Sequence, residues 1–327
     1  MKVLVVKLSS LGDVVHAMPA VQDMRAARPG VVIDWVVERG FAPLVQRCDG
    51  VARVIPCELR RWRQAPLSAQ TRSEWGGFRK QLQRDAYDAV IDLQGLAKSA
   101  LVSRLARLAP GGRRFALANR TEGSSYEAPT RWVADVAVPV PARSHAVQRS
   151  RLLCAKALGY EVPRFMYFGL HARAHAPDAS GAGEPAVALV HGTSRADKFW
   201  PADSWVELGR RLIAAGYPLA LPHGSEAERE RSSLLAAALG PRASVWPRME
   251  LGALADRLAG CAGVIGVDSG LSHIAVALDL PHVQIYNFDT AWRTGPETAG
   301  RQRSVFARPT PTVDAVWQAW LGVRARP

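Results

Sequence analysis

The chain has 327 residues, 48% of them apolar, which is enough to bury the cores of about two domains and too much for a disordered protein. Forty-two Lys and Arg against 29 Asp and Glu leave a formal charge of +13, which calls for an anionic partner: nucleic acid, an anionic membrane or a phosphorylated substrate. No apolar run reaches the roughly 18 residues of a membrane span, the N-terminus lacks a signal's apolar core, and the four scattered cysteines form no CxxC pair, so we expect a cytoplasmic protein with reduced thiols and no structural zinc.

Residues 2–7 (KVLVVK) are a short continuous apolar run, the signature of a strand buried on both faces of a parallel sheet. A polar turn, Ser9-Ser10-Leu11-Gly12-Asp13, follows, and then Val14, Val15, Met18, Val21 and Met24 recur at helical spacing until Pro29-Gly30. Strands over 31–37 and 51–55, a basic helical region near Gln81 and a strand over 89–92 continue the alternation; residues 110–128 read as a loop. The stretch 171–185, rich in Ala, Gly and Pro without an apolar period, reads as a linker. Beyond it the rhythm repeats: strand 186–191, helix 205–215, strand 218–222, helix 232–239, strand 264–267, then a turn and another helix. A last helix over 313–321 carries Trp317 and Trp320 and is expected to pack back on the first half. The reading is α/β: two facing Rossmann-like doubly wound domains, 1–170 and 186–311, with a ligand cleft between the carboxyl ends of their sheets and 312–327 returning to the first.

Four clusters carry candidate chemistry. Asp13 lies at the carboxyl end of the first strand, where it is either a helix N-cap or a general base for an acceptor hydroxyl. His191-Gly192-Thr193-Ser194 with Lys198 offers hydroxyls and one cation to a phosphate, though a lone Lys before a helix is equally a solvated one. In Gly266-Val267-Asp268-Ser269-Gly270-Leu271-Ser272-His273 the small residues and the helix start form a phosphate cradle that is neither a Walker loop nor GxGxxG; Asp268 either orients the loop or caps the helix, and His273 faces the phosphates or the core. Past the strand at 218–222, an acidic residue either holds ribose hydroxyls or, more commonly, marks a solvated helix start, and spacing does not separate Glu228 from Glu226. Basic residues gather in the first half: Arg60, Arg61, Arg63, Arg72, Arg79, Lys80 and Lys98, forming either a solvated surface or an anionic acceptor site. No helix-turn-helix, finger or RNP pattern accompanies them, so nucleic acid is not the expected partner.

Together the segments KLSSLGDVVHAMPA (7–20), DWVVERGFA (34–42), VIPCELRRWR (54–63), YDAVIDLQGLAKSA (87–100), DKFWP (197–201) and VDSGLSH (267–273) resemble the bacterial ADP-heptose-dependent lipopolysaccharide heptosyltransferases, in order along nearly the whole chain. The resemblance implies a GT-B fold and an inverting transfer of L-glycero-D-manno-heptose from ADP-heptose to the inner Kdo of Kdo2-lipid A. The alternatives are the family member that extends that first heptose, and a non-catalytic nucleotide-sugar-binding protein. By the same resemblance Asp13 is the catalytic base; Thr193, Ser194, Lys198, Glu228, Asp268, Ser269, Gly270 and His273 hold the donor; and Arg60, Arg61, Arg63 and Lys98 meet the acidic acceptor. No cofactor or metal is expected, and the sequence shows no DxD-like pair at the sugar site. An acceptor in an anionic leaflet implies reversible attachment to the cytoplasmic face of the inner membrane. The chain departs from many family members at Tyr286-Asn287-Phe288-Asp289-Thr290, where they carry a Gly-Pro-Thr-type turn.

Overall fold

Strands that are apolar on both faces are buried only when helices cover both sides of their sheet, and each half of this chain takes that solution. The computed structural model describes residues 1–173, 184–297 and 300–324, and the chain divides into the units Met1–His171 and Ala172–Pro327. Residues 174–183 of the expected linker lie outside the described residues.

The first unit is a parallel sheet of β1 (Lys2–Val6), β2 (Val32–Glu38), β3 (Val51–Cys57), β4 (Ala86–Asp92), β5 (Arg107–Leu117) and β6 (Val136–Val138), in the order β3-β2-β1-β4-β5-β6. The second repeats the plan with β7 (Val187–Val190), β8 (Leu219–Leu221), β9 (Ala243–Val245), β10 (Gly263–Val267), β11 (His282–Tyr286) and β12 (Gln302–Phe306), in the order β12-β11-β10-β7-β8-β9, again all parallel. Strand order therefore reverses between β1 and β4 and between β7 and β10. At such a reversal the loops leave to opposite sides and open a crevice outside the carboxyl ends of the strands. Register sets those ends level: Val6 pairs with Asp92, and Val190 with Gly266.

Leu4, Val6, Val36, Ile55 and Val90 form one face of the first core, closed by Trp62, Phe78 and Val102. On the other side the helices Leu11–Ala27 and Ala146–Leu158 pack together, joined by a buried Asp23–Arg151 ion pair at 2.7 Å. All four cysteines are free thiols.

Two expectations need correction. Much of the 110–128 loop belongs to β5, which crosses Pro110-Gly111-Gly112 as a bulge: register shifts between Tyr87 and Ala89, Gly111 has φ +76°, and a Cβ on Gly112 would lie 2.5 Å from the Tyr87 carbonyl oxygen. Turn residues at a bulge look like a loop in sequence. The last helix, Val313–Val323, expected on the first unit, packs on the second, against β11, β12 and the helix Ala202–Ala214. Its stripe of Val316, Ala319, Trp320 and Val323 is buried, with the Trp320 ring seated where Gly263 lacks a side chain. The apolar period shows that this helix must be covered but not by which sheet. Trp320→Ala should lower the stability of the second unit by about 3–5 kcal/mol in urea unfolding, the usual range for a buried Trp; a loss below about 1 kcal/mol would contradict this seating.

Candidate active site

The first crevice is built by the loops after β1 and β4, with Arg149 reaching in from the helix Ala146–Leu158. Ser10 caps the helix Leu11–Ala27, and Asp13, three residues on, returns its Oδ2 to the Ser10 amide at 3.2 Å and the Ser10 hydroxyl at 2.9 Å. Asp13 is thus the partner of the N-cap rather than the N-cap itself. Its other oxygen, Oδ1, faces Lys7 Nζ and the Arg149 guanidinium, each at 3.6 Å, while the side chain keeps 36% exposure. Burial raises the carboxyl pKa, but Lys7, Arg149, His16 and the Ser10 bond outweigh it and hold the group well below the ordinary carboxylate range. Lys7, at the end of β1, is buried; its ammonium donates to the Leu93 carbonyl at 3.0 Å, and desolvation lowers its pKa.

From β4, the Gln94 amide oxygen accepts from the Leu8 and Ser9 N–H groups at 3.0 Å each and fixes the loop that carries Asp13. Asp92 is buried and accepts from the Gln94 and Gly95 amides and the Ser99 hydroxyl, yet desolvation still pushes its carboxyl up to about 6. Lys98 reaches the same place, donating to Ser9 Oγ at 3.1 Å; burial and repulsion from Arg60 lower its pKa. The other two predicted arginines are engaged differently. Arg61 is paired with Glu58 at 2.6 Å and with Glu74, and Arg63 lines a cavity between the helices Leu59–Gln64 and Ala69–Leu82.

The second crevice gathers Thr193 and Lys198 after β7 with Asp268, Ser269, Gly270 and His273 after β10. Asp268 is buried at the centre: Oδ2 accepts from Lys198 Nζ at 2.5 Å, Oδ1 lies 3.4 Å from His273 Nε2 and accepts from Thr294 Oγ1 at 3.3 Å, and its carbonyl accepts from Thr193 Oγ1 at 3.5 Å. Burial alone would raise this carboxyl; His273 and Lys198 reverse that and hold it far below its usual value. Ser269 caps the helix Gly270–Ala277, whose first amides carry the positive end of the helix dipole, and its buried hydroxyl has no hydrogen-bond partner among the described residues. Ser194 is exposed on its loop.

Glu228 and Glu226, inseparable by spacing, part company here. Glu226 is an exposed partner of Arg229, whereas Glu228 folds back over the loop after β7, accepting from the Gly224 amide at 2.7 Å. A Cβ on Gly192 would meet the Glu228 carboxyl at 2.7 Å. The unusual turn after β11 also acquires a role: Asn287 Nδ2 donates to the carbonyls of Asp197 and Phe199 at 3.1 and 2.9 Å and braces the turn Ala196–Lys198.

Two crevices at strand-order reversals, one with a caged carboxylate and the other with a cation at a helix start, are what a two-substrate transferase needs. The sequence pattern of Glycosyltransferase family 9 (heptosyltransferase) matches residues 75–314. The chain belongs to this family. Lipopolysaccharide heptosyltransferase 1 of Pseudomonas aeruginosa is 42% identical over 88% of this chain and 78% of its own length. The Salmonella typhimurium lipopolysaccharide heptosyltransferase 2 is 27% identical over 88% of this chain and 82% of its own. The structure of the E. coli heptosyltransferase WaaC with ADP superposes with a TM-score of 0.85 at 36% identity, covering 97% of this chain and 98% of that one. The enzyme thus has the two-Rossmann-unit architecture of a GT-B glycosyltransferase.

Lys7, Arg149 and Gln94 escaped the sequence reading. Lys7 left a signal, a charge at the end of an otherwise apolar central strand. Arg149 comes from a helix whose period, Val147, Ser150, Leu153 and Cys154, was there to be read. Because Asp13 and Asp268 titrate lower when folded than the unfolded value near 4, their pairing stabilises the enzyme fully above about pH 5 and is lost as pH falls through the folded values. Urea stability should therefore drop below about pH 4, more shallowly in Lys198→Met; an unchanged slope in that variant would show that Lys198 does not hold Asp268.

Proposed function

We propose that the protein transfers L-glycero-D-manno-heptose from ADP-heptose to the inner Kdo of Kdo2-lipid A, inverting the anomeric centre, with donor held by the second unit and acceptor by the first. The observation that carries this is the pairing of an accessible caged carboxylate, Asp13, at the β1/β4 crevice with Lys198 and the helix start at Ser269 at the β7/β10 crevice. The likeness to heptosyltransferase 1 relatives, well above that to heptosyltransferase 2, supports the Kdo acceptor over an already heptosylated one.

In this reading the Kdo hydroxyl attacks the anomeric carbon as the bond to the diphosphate breaks, and Asp13 takes the hydroxyl proton. A strongly acidic carboxyl serves here because the hydroxyl becomes acidic only as it bonds to an oxocarbenium-like carbon. Lys7 and Arg149 keep that carboxylate ionised beforehand. Negative charge builds on the departing ADP, where Lys198, the Thr193 and Ser194 hydroxyls and the amides after Ser269 receive it; His273 and Asp268 set the angle of Lys198, and Glu228 holds the ribose. Arg60, Arg63 and Lys98 meet the acceptor's carboxylates and phosphates, and Arg61 joins them by exchanging one of its two glutamates. The scheme uses no metal. Among the described residues no helix is long and apolar enough to cross a membrane, and we place the protein peripherally on the cytoplasmic face of the inner membrane.

Given ADP-heptose and Kdo2-lipid A, the purified protein should release ADP and add a single heptose mass to the glycolipid; release only with an already heptosylated acceptor would reassign the acceptor. Asp13→Ala should cut turnover roughly 10²–10⁴-fold, the range for a lost general base, with donor affinity within about twofold. Excess EDTA should leave the rate unchanged, and inactivation reversed by a divalent cation would refute the metal-free scheme.

A further inference from the structure

Positive charge is divided unequally between the units: residues 1–171 hold 26 Lys and Arg against 14 Asp and Glu, whereas residues 172–327 hold 16 against 15. A concentrated share of the excess lies on the helices Leu59–Gln64 and Ala69–Leu82, where Arg60, Arg63, Arg72, Arg79 and Lys80 are exposed. Glu74, the only acid between residues 59 and 80, is occupied by Arg61 and by the Trp62 indole N–H at 2.7 Å.

Apolar surface sits among these cations. The link between the helices exposes Pro66 and Leu67, the latter 82% accessible. Beside it opens a cavity of about 310 Å³ lined by Leu59, Trp62, Pro66 and Trp75, with Arg63 and Arg72 on the same lining. On the outer face of the second helix, between Arg72 and Arg79, come Gly76 and Gly77, where an added Cβ would meet nothing within 4 Å. Two glycines inside a helix cost about 1 kcal/mol each relative to Ala, and no contact among the described residues requires them. The opposite face, Thr71, Phe78 and Leu82, is buried and holds the helix in place.

We propose that this segment, residues 59–80, is the face by which the first unit docks on an anionic bilayer: Leu67 enters the acyl layer, and one acyl chain of an anionic phospholipid occupies the cavity while its phosphate meets Arg72. Interfacial segments combine cations for the headgroups, an apolar tip and aromatic rings at the boundary, and all three are present. An acidic protein would satisfy the arginines but leave Leu67 and the cavity without a partner. The inference deepens the reading of a membrane-borne acceptor and rests on it.

The test is co-sedimentation with vesicles of phosphatidylglycerol and phosphatidylcholine, without donor or acceptor, for the full-length protein and for Leu67→Asp and Arg72→Glu, both exposed positions. The wild type should pellet with these vesicles and not with phosphatidylcholine alone, and each variant should lose roughly tenfold or more in partitioning. Variants that pellet like the wild type, equal binding to neutral vesicles, or binding only when the vesicles contain the acceptor would each overturn the proposal, the last by giving the cavity to the acceptor's own chain. Transfer to a deacylated, water-soluble acceptor should stay within about twofold in both variants, and its loss would assign the segment to acceptor recognition and likewise overturn it. Failed docking with intact transfer leaves the transferase reading standing, so the two can fail separately.

Discussion

A parallel sheet whose first strand lies in its middle must send the loops after its first and fourth strands in opposite directions, and the chemistry of this protein hangs on that constraint. It is met twice, at β1/β4 and at β7/β10. In each crevice one loop delivers a cation or carboxylate from its strand end while the other begins a helix or a chain of amide donors. The sheets serve chiefly to hold four loop ends level, as the pairing of Val6 with Asp92 and of Val190 with Gly266 shows.

Asp13 and Asp268 are answers to one electrostatic problem with different outcomes. Both are removed from water far enough for desolvation to be the largest influence on their titration, and both are returned to the charged form by cations. Asp268 spends its oxygens on Lys198, His273 and Thr294 and is closed, which suits an orienting group. Asp13 gives one oxygen to Ser10 and leaves the other opposite Lys7 and Arg149 at distances longer than a hydrogen bond. It is charged, restrained and still open, the condition of a group that has yet to meet its partner.

Much of this was legible in the sequence, because buried parallel strands and glycine-containing turns write local patterns. The strands at 2–7, 31–37, 51–55, 186–191 and 264–267 and the polar turns after them follow from apolar runs and small residues, and the family segments fall on the same turns. Failures came where the deciding partner is distant along the chain. The bulge at Gly111-Gly112 makes sense only beside Tyr87, and the last helix finds its place through Gly263. The separation of Glu228 from Glu226 depends on a loop thirty-odd residues upstream. Arg149 reaches Asp13 from a helix 136 positions away. Periodicity reports that a side chain is buried, and long-range charge pairing lies outside its reach.

The Glu228 carboxyl lies so close over Gly192 that the two positions share one small volume. Any side chain at 192 would evict the carboxylate from its place beside the Gly224 amide without altering it, so damage at the glycine would mimic damage at the acid. A substitution at 192 and the loss of the carboxylate at 228 therefore empty the same place beside the Gly224 amide, and either one alone reports on that single arrangement.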